Sequence, residues 1–104
     1  MSGQLVIAEL QAFRAVLGKV KRSDGETVRV WCRSTIPNAL HRVGPTDLMK
    51  TAAEEAWAAA DHLAQTLDET DGNIEPARER AMEAVESLVA AVRLIKAAGP
   101  AEVQ

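Results

Sequence analysis

The second half of the chain carries two long stretches in which apolar residues recur every three or four positions. The first stretch comprises Met49, Ala53, Ala56, Ala60, Leu63 and Leu67. The second comprises Ala81, Val85, Leu88, Val92 and Ile95. This spacing is the heptad pattern of helices that pack side by side. The sequence therefore predicts two helices, the first over roughly residues 46–70 and the second ending at Gly99-Pro100, which stops a helix.

The ends of these helices carry start and stop signals. Thr46 is placed to cap the first helix, because its hydroxyl can accept a hydrogen bond from an N–H of the first turn. The Asp71-Gly72-Asn73 segment interrupts the pattern, since Gly72 adopts the left-handed backbone conformation cheaply. Two helices of similar length joined by so short a turn predict an antiparallel helical hairpin over residues 46–98.

The apolar faces of this hairpin are wider than one neighbouring helix can cover. Leu48, Ala52 and Ala64 widen the first seam to about half of the helix circumference. We therefore expect the N-terminal half, a second copy of the chain, or both to pack on the hairpin, and a domain of this size favours a homodimer. The residues predicted at an interface between copies are Met49, Ala53, Trp57, Leu63, Val85, Val89, Val92 and Leu94.

The first half of the chain predicts a mixture of elements. Residues 3–17 favour a helix, with a strand as the open alternative, because helical spacing recurs among Val6, Leu10, Phe13 and Leu17. Ser23-Asp24-Gly25 is a turn signal, and residues 27–33 alternate between apolar and polar side chains as a strand does. If the loop that joins the two predicted strands has three residues, the apolar side chains of both strands lie on one face of the hairpin. This register predicts a type I turn followed by a bulge at which Gly25 is left-handed.

These elements predict an α+β fold in a single domain. Residues 1–34 hold an N-terminal helix (or strand) and a β-hairpin, and a long antiparallel two-helix hairpin follows in residues 46–98. Residues 35–45 are predicted to be a loop because Pro37 interrupts regular structure. Residues 99–104 form a tail.

One face of the predicted β-hairpin combines basic residues with a tryptophan. Trp31 could stack on a base while neighbouring arginines hold phosphate. Tryptophan and arginine are equally the usual anchors of protein interfaces, and a solvated strand face is the third interpretation. The predicted binding residues are Lys19, Lys21, Arg29, Trp31 and Arg33 on this face, with Arg42 in the loop beyond.

Residue types that carry catalysis or bind metals are scarce. The one cysteine, Cys32, excludes an internal disulfide, and the two histidines, His41 and His62, stand at no metal-ligand spacing from it. No nucleophilic triad can be assembled, and we predict neither an enzyme, a metal nor a cofactor. With no signal peptide or membrane span apparent, a cytoplasmic location is expected.

The charges are unevenly distributed along the chain. Residues 1–50 hold eight Lys or Arg and four Asp or Glu, a balance of +4, while residues 51–104 hold four and eleven, a balance of −7. The two sum to the net charge of −3. This difference in charge suits binding of an anion by the basic first half of the chain. It also suits head-to-tail contact between copies, in which the basic half of one meets the acidic half of the next.

Together these features predict a small non-enzymatic protein that works by protein–protein interaction. One example is inhibition of a larger host complex by a phage or plasmid protein, such as an anti-defence protein. The alternative is a nucleotide or nucleic-acid binding module that uses the Arg29, Trp31 and Arg33 face. A structural self-assembly protein is the third class.

The start of the last predicted helix bears a resemblance to a known group of proteins. Its sequence, Pro76-Ala77-Arg78-Glu79-Arg80-Ala81-Met82, is similar to the helical-hairpin domain of phage cyclic-nucleotide sponges. The resemblance implies a helical hairpin and the ligand-sponge version of the alternative function, and it transfers no binding residue.

Overall fold

Four α-helices form the bundle seen in the computed structural model, which describes residues 2–69 and 72–102, with the backbone alone for residues 2 and 97–102. Each helix packs against two others: α1 and α3 both contact α2 and α4. The bundle is long and thin, with principal extents of 54 × 19 × 16 Å. The helices are α1 (Ser2–Leu17), α2 (Gly25–Val43), α3 (Asp47–Asp68) and α4 (Glu75–Glu102), with a 3-10 turn at Arg22–Asp24.

Neighbouring helices run antiparallel, which gives the bundle two distinct ends. At one end, called the lower end, the α1–α2 connection lies next to the α3–α4 connection. Arg22 Nη1 in the first donates a hydrogen bond to the Glu69 carbonyl in the second at 3.0 Å. At the upper end the side chain of Lys96, late in α4, packs over Gly3 at the start of α1. The α2–α3 connection, residues 44–46, also lies at the upper end. The bundle therefore consists of two layers, α1 with α2 and α3 with α4.

The core combines bulky residues from α1 and α4 with small ones from α3. Phe13, Leu10 and Leu17 are fully buried on the α1 face that the helical spacing predicted, so the helix favoured for residues 3–17 is confirmed. The α3 face is mainly alanine, which lets its neighbours approach closely. The buried alanines of α3 are Ala52, Ala53, Ala56, Ala59, Ala60 and Ala64.

The predicted α+β fold is wrong, because residues 2–69 and 72–102 contain no strand. Residues 27–33, predicted as the second strand of a β-hairpin, lie within α2. The apolar residues of this segment fit both the two-residue repeat of a strand and the 3.6-residue repeat of a helix. Packing against the rest of the chain decides between the two structures. As a helix it places one stripe against the faces that α1 and α3 would otherwise leave uncovered, whereas a two-stranded hairpin is marginal by itself. The buried stripe of α2 is Gly25, Val28, Cys32, Thr35, Ile36 and Ala39.

The turn predicted before this segment is a helix start. Gly25 has φ −57° and ψ −42°, so it is an ordinary right-handed helical residue rather than a left-handed bulge. The Asp24 carboxylate accepts a hydrogen bond from the Lys21 N–H at 2.8 Å and closes the 3-10 turn. The chain thus turns from α1 into α2 without the conformation that the predicted hairpin required.

The loop predicted for residues 35–45 is also wrong, since α2 continues through Pro37 to Val43. A proline inside a helix removes one N–H bond and costs about 3 kcal/mol. The buried Ile36 and Ala39 on either side offset this cost by keeping the apolar stripe on the core. Gly44, with φ +112°, then ends the helix, and its N–H donates to the Leu40 carbonyl.

The long helical hairpin has the predicted start and turn and a different end. Thr46 Oγ1 accepts the Met49 N–H at 3.2 Å, so the predicted cap is confirmed. Gly72 has a left-handed φ of +98°, while Asp71 lies outside the described residues. Gly99-Pro100 does not stop α4, which runs to Glu102. Pro100 removes one backbone bond and leaves φ helical. Among the described residues no helix is long and apolar enough to cross a membrane.

Candidate functional site

The residues predicted to share one basic face are separated by the helical fold. Successive residues of a helix are rotated by about 100°. Arg29 and Arg33 therefore face α3, whereas Trp31 faces α1. Lys19 and Lys21 precede α2 at the lower end, and Arg42 is the penultimate residue of α2 at its upper end. The arrangement of a tryptophan between two arginines, which supported nucleotide binding, is absent.

The two arginines are held by carboxylates of their own chain. Arg29 Nη2 contacts Asp68 Oδ2 at 2.6 Å and Arg29 Nη1 lies 3.7 Å from Glu26 Oε1. Arg33 Nη2 lies 3.4 Å from the other oxygen of Glu26. The hydrogen bond to Asp68 raises the pKa of the Arg29 guanidinium above its ordinary value. An incoming phosphate would have to displace these carboxylates.

Trp31 packs between the first two helices. Its ring stacks on Phe13 of α1, with ring centroids 6.3 Å apart and planes within 4° of parallel. The indole is half-buried, so part of the ring stays at the surface. Stacked aromatic pairs contribute about 0.5–1.5 kcal/mol beyond the area they bury. Trp31 therefore fixes the separation of α1 and α2 and forms the floor of a surface groove.

This groove, the α1/α2 groove, has a volume of about 510 Å³. Val30 on its rim is 49% exposed, and Leu5, seven residues before the lining residue Ala12 and so on the same face of α1, is 46% exposed. Val30 is thus a large apolar side chain in water beside a tryptophan, and Leu5 is a second one about one turn of α1 beyond the lining residue Glu9. The lining residues are Glu9, Ala12, Val30, Trp31, Ser34, Thr35, Asn38 and Arg42.

A chain of polar side chains crosses the α1/α2 groove near its upper end. Asn38 Nδ2 donates to Glu9 Oε1 at 2.7 Å, and Arg42 Nε donates to Asn38 Oδ1 at 3.2 Å. These bonds pair the polar side chains of Glu9, Asn38 and Arg42 with one another within the protein. The surface they leave for a partner is thus mostly apolar.

Sequence reasoning placed Trp31 and Arg42 at a binding surface and missed Leu5, Ala12 and Val30. The signal for Val30 was present once the segment is treated as a helix. In a helix, Val30 lies outside the buried stripe of α2, so an apolar β-branched side chain faces the outside of the bundle. The strand interpretation hid this feature by giving Val30 to the apolar face.

Six of the eight residues predicted at an interface between copies are covered within the chain. Helices α1 and α2 occupy the place where a second copy was expected. Two of the eight stay at the surface, Trp57 with 39% and Leu94 with 61% of its area exposed. The six buried residues are Met49, Ala53, Leu63, Val85, Val89 and Val92.

A second groove lies between α3 and α4, on the opposite side of the bundle. Leu94 and Leu48, seven residues from the lining residues Ser87 and Glu55, extend the same face toward the upper end. Leu48 is 46% exposed. The residues that line this α3/α4 groove are Glu55, Ala58, Ala59, His62, Arg80, Glu83, Ala84 and Ser87.

Cys32 and the two histidines are not brought together in the fold. Burial raises the pKa of the Cys32 thiol to about 11, and the nearby Asp61 carboxylate adds to the shift. His41 is exposed on α2, and His62 is exposed in the α3/α4 groove. In the part of the chain that the structure describes, no three His, Cys, Asp or Glu side chains are grouped to hold a metal ion. At neutral pH Cys32 is a protonated core residue.

The Cys32 thiol should make stability fall in alkali. Its pKa of about 11 in the folded chain exceeds the ordinary 9.0, so its contribution is complete below pH 9 and is lost as pH rises through 11. We expect the free energy of unfolding to drop by about 2 kcal/mol over this interval. Urea unfolding of the wild type and of Cys32→Ala measures it. The chain has no tyrosine, and equal pH slopes for both proteins would contradict the prediction.

Comparison of the chain with protein-family models, with curated proteins and with solved structures finds no match.

Proposed function

We propose that this bundle is a non-enzymatic binding protein that acts through protein–protein contact, and that the α1/α2 groove is its contact surface. The observation that carries the proposal is the exposed side chain of Val30 beside the half-buried Trp31 in this groove, with the exposed Leu5 further along the same face of α1. Tryptophan is among the residues most enriched at interface hot spots. A cytoplasmic setting belongs to the proposal, because a buried free thiol such as Cys32 suits a reducing compartment.

The groove has the dimensions of a helix-binding site. On α1 it is lined by Glu9 and Ala12, and the stripe of α1 that contains them runs from Leu5 to Val16 in steps of four, three and four residues. Eleven residues of helix span about 17 Å, so the wall matches roughly three turns of a partner helix. Small side chains along it, such as Ala12, let a second backbone approach. An amphipathic helix laid in a groove is a common mode of peptide recognition.

Selection of binders from a library of helical peptides tests this proposal. We expect the enriched peptides to converge on the groove, so that Val30→Asp weakens their binding at least about tenfold by placing a charge against apolar anchors. Leu94→Asp is the matched control, since it changes an exposed apolar residue on the opposite layer. Titration of each purified variant with the selected peptides gives the affinities.

The selection has outcomes that would reject the proposal. Peptides that bind Val30→Asp as tightly as the wild type would place the contact elsewhere. Failure to enrich any groove-dependent helix would remove the helix-in-groove interpretation. Circular dichroism of both variants confirms that the bundle is intact before the affinities are compared.

A further inference from the structure

Helix α2 is built from residues that favour a helix less than those of α3 and α4. Its central turns carry a proline and five β-branched residues, whose side chains lose rotamer freedom in a helix. Helices α3 and α4 are rich in alanine, leucine and glutamate, which are strong helix formers. Helix α2 therefore depends on contacts with the rest of the chain more than α3 and α4 do. The β-branched residues are Thr27, Val28, Val30, Thr35 and Ile36, and the proline is Pro37.

The backbone hydrogen bonding of α2 is weakest in its middle. Pro37 has no N–H, so it cannot donate the helical bond to the Arg33 carbonyl. Ser34 Oγ lies 3.1 Å from the Val30 carbonyl oxygen and 3.2 Å from that of Trp31. Hydroxyl bonds of this kind, back to the preceding turn, slightly destabilise a helix. The turn from residue 33 to residue 37 is thus held less firmly than an uninterrupted helical turn.

Helix α2 also contributes least to the core. Of the twelve largest fully buried side chains, α2 supplies only Val28 and Ile36, whereas α1 supplies four and α3 and α4 three each. Hydrophobic stabilisation scales with the apolar area removed from water, so α2 gains less from packing than its neighbours. The rest of its buried stripe consists of small side chains, namely Gly25, Cys32, Thr35 and Ala39.

The other three helices are joined to one another without α2. Helix α4 packs against both α1 and α3, so these three form a continuous unit. Arg78 of α4 donates to the Leu17 and Val20 carbonyls at the end of α1, both at 2.9 Å. Arg14 Nε of α1 lies 3.3 Å from Glu86 Oε1 of α4. None of these contacts involves α2.

The side-chain bonds that fasten α2 to its neighbours lie near the surface. Arg29 pairs with Asp68 of α3, and the two side chains are 30% and 50% exposed. Asn38 donates to Glu9 of α1 at 2.7 Å in a part-buried position. Ion pairs with this much exposure add little to stability, because water screens them and two side chains must be ordered. Helix α2 therefore has weak local structure, little buried area and shallow polar attachments.

We infer that α2 is a strap that detaches from the bundle as a unit while α1, α3 and α4 remain helical and packed together. Detachment separates Trp31 from Phe13 and uncovers the alanine face of α3. The α1/α2 groove exists only while the strap is closed, because α2 forms one of its walls. The inference depends on the packing of α2 alone, so it holds or fails independently of the function proposed for that groove.

Hydrogen–deuterium exchange of the intact protein measures the opening of each helix. The backbone amides of α2 should exchange at least about tenfold faster, after correction for intrinsic rates, than those of residues 50–67 in α3 and 80–95 in α4. The amides of residues 6–17 in α1 should behave like those of α3 and α4. Equal protection of α2 and α3 overturns the inference.

Two substitutions at exposed positions show whether α2 opens by itself. Pro37→Ala restores a backbone donor to α2, which is unfolded both in the detached state and in the fully unfolded chain. It should therefore slow exchange in all four helices, by at least about tenfold. Ala58→Gly weakens α3, which stays formed when α2 detaches. It should speed exchange in α1, α3 and α4 about fivefold and leave the α2 rate unchanged.

Two results with these variants would contradict the inference. If Ala58→Gly speeds exchange in α2 as much as in α3, then α2 opens only when the whole bundle unfolds. If Pro37→Ala slows exchange in α2 alone, then α3 and α4 open while α2 stays in place, which is the reverse order. Circular dichroism of both variants confirms that the helices are intact before exchange is measured.

Discussion

Gly25→Ala should lower the free energy of unfolding by about 2–3 kcal/mol, because the added carbon has no room. Gly25 is buried where α2 starts against the last turns of α3. A Cβ there would lie 2.9 Å from the Ala64 carbonyl oxygen and would also meet the Asp68 carboxylate. The backbone carbonyl cannot move aside as a flexible side chain does, so the two helices must separate.

Gly18→Ala is the matched control for Gly25→Ala. At Gly18 a Cβ would lie 3.4 Å from both the Ala15 carbonyl oxygen and the Met82 side chain, an ordinary contact distance, and φ is not left-handed. A Gly-to-Ala change at such a site stabilises by about 0.4–1 kcal/mol through the unfolded chain. Urea unfolding of both variants with unchanged m-values gives the comparison. Equal effects of the two substitutions would show that close packing at Gly25 is unimportant.

Arg78→Met should destabilise the bundle by about 3 kcal/mol, since charge-assisted hydrogen bonds contribute about 1.5–3 kcal/mol each. Arg78 Nη1 donates to the Leu17 carbonyl and Nη2 to the Val20 carbonyl, both at 2.9 Å. The guanidinium thus caps the end of α1 from α4, and its side chain is only 14% exposed. Methionine keeps the apolar stem and leaves both carbonyls without this donor.

Arg80→Met provides the control in the same turn of α4. Arg80 is exposed on the α3/α4 groove, and the change should alter the free energy of unfolding by less than about 0.5 kcal/mol. Thermal and urea unfolding of both variants test the difference. An Arg78→Met protein as stable as Arg80→Met would show that α1 needs no cap from α4.

Helices α3 and α4 could be predicted from the sequence because their periodicity has one interpretation, and for residues 3–17 helical spacing favoured a helix over the strand alternative. The α3 seam reads 4, 3, 4, 3, 4 from Met49 to Leu67 with no alternating pattern to compete. Thr46 and Gly72 mark the ends of the elements by local chemistry, which acts within a few residues. Such signals need no knowledge of the rest of the fold.

The second helix could not be predicted because its sequence satisfies two periods. Residues 27–33 alternate like a strand, while Val28, Cys32 and Ala39 also follow a helical stripe. Pro37 made the helix look interrupted. The choice depends on the uncovered faces of α1 and α3, which exist only after those helices have packed.

The candidate site was predictable only in part for the same reason. Trp31 was recognised as important, but its partner Phe13 is on another helix. The role of Arg78 depends on carbonyls some sixty positions earlier, at Leu17 and Val20. Contacts of this kind leave no mark in local spacing, so a sequence pattern cannot reveal them.

The thinness of the bundle has a consequence for how its sequence can change during evolution. Extents of 19 and 16 Å leave room for two layers of helices, each about 10 Å thick. Every core side chain is therefore one helix away from an outer face. Phe13 supports the indole of Trp31, so a substitution in the core also reshapes the groove that we propose as the contact surface. If that proposal holds, we expect the effects of core substitutions and of groove substitutions to depend on each other.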